Sequence, residues 1–501
     1  MIYRNITFVT SINFFTRILG YIRDLLIAFV FGTSSKAELF IILLEIKEIF
    51  NVFFHSLSFE KNLINKYLQK KNKIARLRFS NNIFFSFLIF IIVSTLLSLM
   101  FSDKIFFVLF PGFEGRFETE YINKIIKFVL LSNIFNFIIV YLSSILQAEK
   151  KFVFNSYILI IPNLFFLIYF YLITEFFDNN LINDFFGYFI ILVSIFQLIL
   201  VISKKDLTIF GLIYFKFRDL LKDFSEFLLS YIYSFLFIIV FTIYRFLEKF
   251  FLSFEEGLIS MFYLSERIAY LPTAIVITAF STVLLPEFFS KKKKLDKSKL
   301  QIFSNAIVYC LIIMLYVCLF YILNSEIIIN ILFGRGNFDQ NSVEVTSKIF
   351  TQKTFGIFFV AFQLILYVFY ISKKENKTIL IGSIIGLIFS LIYMFILFNI
   401  GNYEYFGFNL LIFYFIQVFY LFYKLENRNF IFLKKNVLTN IKFIYSYAII
   451  SLILIILKKF FYIEGYILLL VSLILIFIHF FMSIKFKLIK DKRLYNLIKI
   501  S

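Results

Sequence analysis

Stretches of about 18–25 predominantly apolar residues recur from one end of this 501-residue chain to the other. Each is long enough to cross the hydrocarbon core of a bilayer as a helix. In lipid a segment must satisfy its backbone polar groups internally, and a helix does so unaided. The chain is 61% hydrophobic with a mean hydropathy of +0.90, against about 45–50% apolar for a soluble domain. The sequence therefore predicts an all-α polytopic membrane protein. The 79 phenylalanines and the absence of Trp fit AT-rich codon usage, so the aromatics are expected to be lipid-facing filler rather than a binding stack.

Fourteen spans can be read, centred on 7–32, 37–60, 80–101, 121–147, 152–174, 184–203, 225–247, 258–285, 302–324, 345–371, 378–399, 406–424, 441–458 and 464–486. Every second connection is basic, beginning with 66–78 and ending with the tail from Lys485 to Arg493; acids gather in the alternate loops around 175–184, 248–256 and Glu404. The positive-inside rule then puts both termini in the cytoplasm. The formal net charge of +20 is topology information on this reading, and no nucleic-acid partner is expected. No A-x-A-like cleavage site follows the first span, which is expected to be retained.

Several functions are excluded by what connects the spans. No soluble domain is long enough for a nucleotide site and no G-x-x-x-x-G-K-[ST] occurs, which argues against a primary pump. The first outer loop is little more than 33–37, too short for the acidic loop of a membrane glycosyltransferase. Cys310 and Cys318 share one predicted helix and imply no disulfide or metal. His55 and His479 sit in apolar runs and are expected to be packed. No catalytic residue, metal or cofactor is expected. A secondary transporter or flippase remains.

The first span carries the residues that apolar filler does not explain: Arg17, Arg23 and Asp24 within Thr16–Asp24. A charge near the middle of a membrane helix costs roughly 2.5–3.5 kcal/mol on insertion scales, so such residues generally face a wet cavity or a partner. Arg17, Gly20 and Asp24 fall at i, i+3 and i+7 on one helical face, with Arg23 on an adjacent flank. A cationic stripe on an inward face suits an anionic substrate held within the bilayer.

Thr16-Arg17-Ile18-Leu19-Gly20-Tyr21-Ile22-Arg23-Asp24, then Phe31-Gly32 and Glu38-Leu39-Phe40, resembles the N-terminal signature of the MurJ (MviN) lipid II flippases. Further matches follow in order: Pro111-Gly112-Phe113, Gly257-Leu258-Ile259-Ser260 with Glu266-Arg267-Ile268 and Leu271-Pro272, Leu284-Leu285-Pro286, and Phe333-Gly334-Arg335-Gly336 with Phe338. The resemblance covers about residues 7 to 380, and the four prolines all fall where the family has one. It implies the MOP-exporter architecture: an N-terminal lobe over 1–210 (spans 1–6), a C-terminal lobe over 211–430 (spans 7–12), and extra helices 13–14 with a basic tail over 431–501. It implies lipid II, a polyprenyl-pyrophosphate-linked disaccharide-pentapeptide, as substrate. It also implies the bacterial inner membrane as location and cell-wall synthesis machinery as a partner.

Carried over residue by residue, the resemblance makes Arg17, Arg23 and Arg267 the cationic residues of a central cavity, with Glu38 where Asp is usual. The chemistry is apt, because the planar guanidinium grips phosphate bidentately. Asp24, Glu38 and Glu266 would pair with these arginines when the cavity is empty. Gly20 and the Pro272/Pro286 pair would let helices bend as access alternates. The chain departs from the family in span 2, where Glu45, Asn51 and Ser56 replace Lys, Arg and Glu and thin the positive charge. Span 11 lacks a carboxylate, so the membrane potential rather than a bound cation is expected to reset the carrier. The rival readings are a flippase for another polyprenyl-linked glycan, a MATE-like exporter, a membrane-embedded glycosyltransferase and a non-transporting scaffold.

Overall fold

The structure is a computed structural model that describes residues 2–54, 57–70, 72–149, 151–176, 182–203, 217–273, 297–373, 375–425, 441–460 and 466–485. Among these residues it is helical throughout, with short 3-10 turns at Pro111–Phe113 and Tyr403–Phe408. The helices are α1 Ile2–Phe31, α2 Ser35–Phe54, α3 Leu57–Gln69, α4 Lys73–Met100, α5 Ser102–Leu109, α6 Thr119–Ala148, α7 Phe152–Phe176, α8 Ile182–Ile202, α9 Phe217–Leu252 and α10 Leu258–Ala269. They continue as α11 Lys297–Leu323, α12 Ser325–Phe333, α13 Gln340–Ser372, α14 Asn376–Ile400, α15 Asn409–Tyr423, α16 Ile441–Phe460 and α17 Tyr466–Lys485. The all-α membrane reading holds: eight helical segments among the described residues are long and apolar enough to cross a bilayer. α1, α2, α9 and α10 are not among those eight, and these four carry many of the charges that matter below.

The chain separates into two compact units, one comprising Met1–Ser260 with Gly336–Phe338 and the other Met261–Arg335 with Asp339–Ser501. In the first, α6 is the central helix, two-thirds buried in its apolar window, and packs against α2, α4 and α8. α4 is only 28% buried there; it turns Ile89, Phe90, Val93, Leu96 and Leu97 outward, a surface suited to lipid and not to water. The phenylalanines are not filler alone. Phe59, Phe87 and Phe227 are buried edge-to-face with centroids 5.3–5.8 Å apart. Lipid tails are as apolar as a side chain, so helix association here rests on such close packing rather than on a hydrophobic drive.

In the second unit α13 is central, packed against α11, α12, α14 and α15. α14 meets α15 through Gly382 and Gly386, four residues apart, where an added Cβ at Gly386 would stand 2.7 Å from the Phe413 carbonyl oxygen. α16 and α17 dock on α11 along a polar seam. His479 pairs with the Tyr316 hydroxyl at 2.6 Å and with Ser446 Oγ at 3.0 Å, and Asn324 donates to Ser472 at 2.9 Å. His479 is therefore a packed histidine; His55 lies outside the described residues. Cys310 and Cys318 are buried free thiols on α11.

Candidate functional site

α1 runs unbroken through Gly20 and carries Arg23 and Asp24 into the interior of the first unit, where they are 9% and 3% exposed. Nε and Nη2 of Arg23 both donate to Asp24 Oδ1, at 3.1 and 2.9 Å. The guanidinium also lies over the Phe166 ring, 5.5 Å from its centroid. The carboxylate compensates the buried cation, since an unpaired charge would cost several kcal/mol (about 3–5 when a buried pair is broken).

Arg23 lines a cavity of about 280 Å³. Its polar wall comes from four other helices: Lys47 on α2, Asn136 and Ser143 on α6, Asn163 on α7 and Gln197 on α8. Gly20 faces the same helix α7, its missing Cβ leaving Asn163 in van der Waals contact while Asn163 Nδ2 donates to the Thr16 carbonyl at 3.2 Å. Arg17, on the other hand, is exposed and is not part of the cavity wall.

Glu38 belongs to a different cluster from the one expected. It is fully buried at the start of α2, where Oε1 accepts the backbone N–H of Ile259 at 2.9 Å and Oε2 pairs with Arg116 at 3.2 Å. Arg116 in turn donates to the Phe254 carbonyl at 3.1 Å. Beside it, Ser35 gives both its N–H (3.0 Å) and its hydroxyl (2.6 Å) to Glu256. Those two bonds hold the Glu256 carboxyl below the usual carboxylate range.

The Pro111-Gly112-Phe113 turn joins the same end, since an added Cβ at Gly112 would collide with the Ser253 carbonyl. Gly336 does likewise against the end of α1. Its φ is +65°, and an added Cβ would collide with the Phe29 carbonyl oxygen. Asn337 then bonds the carbonyls of Phe29 and Val30 at 3.0 and 2.6 Å. Motifs scattered over some 300 residues thus converge on one end of the unit.

Arg267 lies in the second unit, half-buried on α10, donating to the Tyr263 hydroxyl at 2.7 Å with its guanidinium over that ring. Its neighbour Glu266 pairs at 3.0 Å with Lys353, a lysine with 0% side-chain exposure that also lies over Phe262. Pro272 is present just beyond α10 and partly exposed; Pro286 lies outside the described residues. Of the acids expected to neutralise the arginines, Asp24 does so on Arg23. Glu38 is engaged with Arg116 and Glu266 with Lys353.

Glu45, read as a loss of positive charge, is 9% exposed and bridges Arg245 at 2.9 Å and Lys249 at 2.5 Å, both on α9. The acid is the partner that α9 requires. Ser56 and the side chain of Asn51 lie outside the described residues. Sequence reasoning passed over Lys47, Arg116, Lys353 and the three amides of the cavity wall. The signal for Lys47 and Lys353 was present, as each is a cation inside a predicted span. Nothing local marked Arg116, whose role depends on a fold-back to α2.

The family model described as Lipid II flippase MurJ matches residues 27–477. This chain belongs to the MurJ family. The probable lipid II flippase MurJ of Buchnera aphidicola subsp. Baizongia pistaciae is 26% identical over 477 residues, covering 91% of this chain and 90% of that one. The corresponding MurJ protein of Aquifex aeolicus is 26% identical over 399 residues, covering 78% and 77%. Among solved structures, a lipid II flippase MurJ in an inward closed conformation superposes with a TM-score of 0.75 at 22% identity, over 96% of this chain and 98% of that one. An inward-facing MATE transporter of the MOP superfamily superposes with a TM-score of 0.64 at 14% identity, covering 84% and 96%. The MurJ fold follows, and with it the flippase class of the family.

Proposed function

We propose that this MurJ-family chain is a lipid II flippase that carries the polyprenyl-pyrophosphate-linked precursor from the cytoplasmic to the outer leaflet by alternating access. The observation that carries the reading is Arg23: a buried guanidinium on the wall of an internal cavity, in a chain matching the family over 27–477. The planar fork suits a pyrophosphate, and Asp24 holds its partner role until the anion arrives. Arg17, exposed on the same helix, and Arg267, half-buried on α10, are the further cations this reading assigns to the headgroup.

The remaining parts of the reading are consistent with this role. This reading keeps two six-helix lobes, 1–210 and 211–430, and a C-terminal part, 431–501, with two helices and a basic tail. Both termini would be cytoplasmic and the protein would sit in the bacterial inner membrane, working beside the cell-wall synthesis machinery. The membrane potential would reset the carrier, a charge crossing the membrane being worth about 2.3 kcal/mol per 100 mV.

Complementation tests the proposal. A bacterium depleted of its own lipid II flippase would receive wild type, Arg23→Ala or Arg267→Ala, with insertion checked by blot. Rescue by wild type and failure of both variants is expected. Inserted wild type that does not rescue would overturn the function; full rescue by Arg23→Ala would overturn the site.

A further inference from the structure

The cavity behind Arg23 contains acceptors that a pyrophosphate has no use for. Asn163 and Gln197 commit their NH₂ groups to the backbone carbonyls of Thr16 (3.2 Å) and Ile158 (2.8 Å). Each bond uses one of the two amide hydrogens and fixes the amide, so a carbonyl oxygen as well as a second N–H is left to a ligand. A pyrophosphate presents acceptors alone: it can use N–H groups but not these oxygens, because acceptors facing acceptors repel. Asn136 is 95% buried on the 5% exposure it retains, and its Nδ2 has no hydrogen-bond partner. Its Oδ1 takes only the Ser194 hydroxyl at 3.5 Å. A buried donor left unmet is destabilising, and an aliphatic side chain of similar size would avoid that loss. The wall therefore calls for a ligand group that both donates and accepts, set directly beside two cations, Arg23 and Lys47.

We infer that the wall formed by Asn136, Asn163 and Gln197 is a saccharide subsite, which reads the hydroxyl and acetamido groups of the sugar joined to the pyrophosphate. The inference rests on the flippase reading above and deepens it. Hydroxyls and an acetamido N–H donate to the Asn163 and Gln197 oxygens, while the acetamido carbonyl or a ring hydroxyl accepts from Asn136. The cavity's volume of about 280 Å³ lies at the low end for ligand pockets. It has room for one sugar-sized group and not for the whole disaccharide-peptide. Arg23 and Lys47 at its edge hold the phosphates, so the sugar is read only once the anion is in place.

The test uses the full-length protein in lipid nanodiscs and two probes: undecaprenyl pyrophosphate, and the same lipid bearing a single N-acetylhexosamine. Wild type is expected to bind the sugar-bearing probe about tenfold more tightly, the worth of one or two neutral hydrogen bonds. Asn136→Leu and Gln197→Met are each expected to bring that ratio close to one. Two separate variants are used because one of them alone could fail to fold; thermal unfolding of each reports this. A folded variant that keeps the wild-type ratio, or a wild type that binds both probes equally, overturns the subsite and leaves the flippase reading standing. A wild type that binds neither probe overturns both.

Discussion

Glu38 and Ile259 lie 221 residues apart in sequence, yet a carboxylate oxygen of the first accepts the backbone N–H of the second at 2.9 Å. Ile259 is in the first turn of α10, where helical N–H groups have no partner within the helix and an anion is favoured. Glu38 thus caps a helix that begins beyond α9, while Arg116 neutralises it from the turn after α5. Three separate stretches of chain are joined by one side chain.

Glu38→Ala is expected to destabilise the protein by on the order of 3 kcal/mol, because it leaves the Ile259 N–H without its acceptor and Arg116 without its anion. Glu38→Gln keeps an acceptor for Ile259 and loses only the ion pair, so its effect should be smaller. Thermal unfolding in detergent, with protease cleavage in 253–257 as a local readout, ranks the three proteins. Equal midpoints for wild type and Glu38→Ala would remove the capping role.

Lys353 and Glu266 should behave as a coupled pair. Lys353→Met leaves the half-buried carboxylate without its ammonium, and Glu266→Gln leaves a fully buried ammonium without its anion. Each single change is expected to cost more than its share of the double variant, giving a coupling of about 1–3 kcal/mol in a double-mutant cycle. Additive effects would mean that the pair contributes nothing of its own.

The contact between Ser35 and Glu256 is expected to depend on pH. The Ser35 hydroxyl and N–H favour the ionised carboxylate and lower its pKa from the ordinary 4.5. The stabilisation is therefore fully present above about 4.5 and is lost as the pH falls through the lowered value. Hydrogen exchange at the Ser35 amide, corrected for its intrinsic rate, should show protection at pH 6 that disappears under acid. Protection unchanged down to pH 2 would show that Glu256 does not hold this amide.

Much of the fold was readable in the chain because its signal is local. Hydrophobic runs long enough to span a bilayer become helices wherever they occur, and α4, α6, α13 and α14 match the predicted segments to within several residues. The oddity of Arg23 and Asp24 was readable for the same reason, as neighbours in sequence on one turn remain neighbours in space. Glu38 was misplaced among the cavity arginines because its true partners come from the turn after α5 and the start of α10. Glu45 looked like a lost positive charge until Arg245 and Lys249 of α9 stood beside it.

The amino-acid sequence by itself determined that this chain is an all-helical membrane protein, where several of its long apolar helices lie, and that its first helix carries charge amid apolar residues. Each of these depends on residues close together along the chain and on the cost of exposing polar groups to lipid. Tertiary structure alone decided which charges pair, which amides wall the cavity behind Arg23, and which motifs meet at one end of the first unit. A charge inside the bilayer is stabilised by whatever opposite group packing brings within a few ångströms. That proximity is a property of how helices far apart in sequence pack, and no local pattern encodes it.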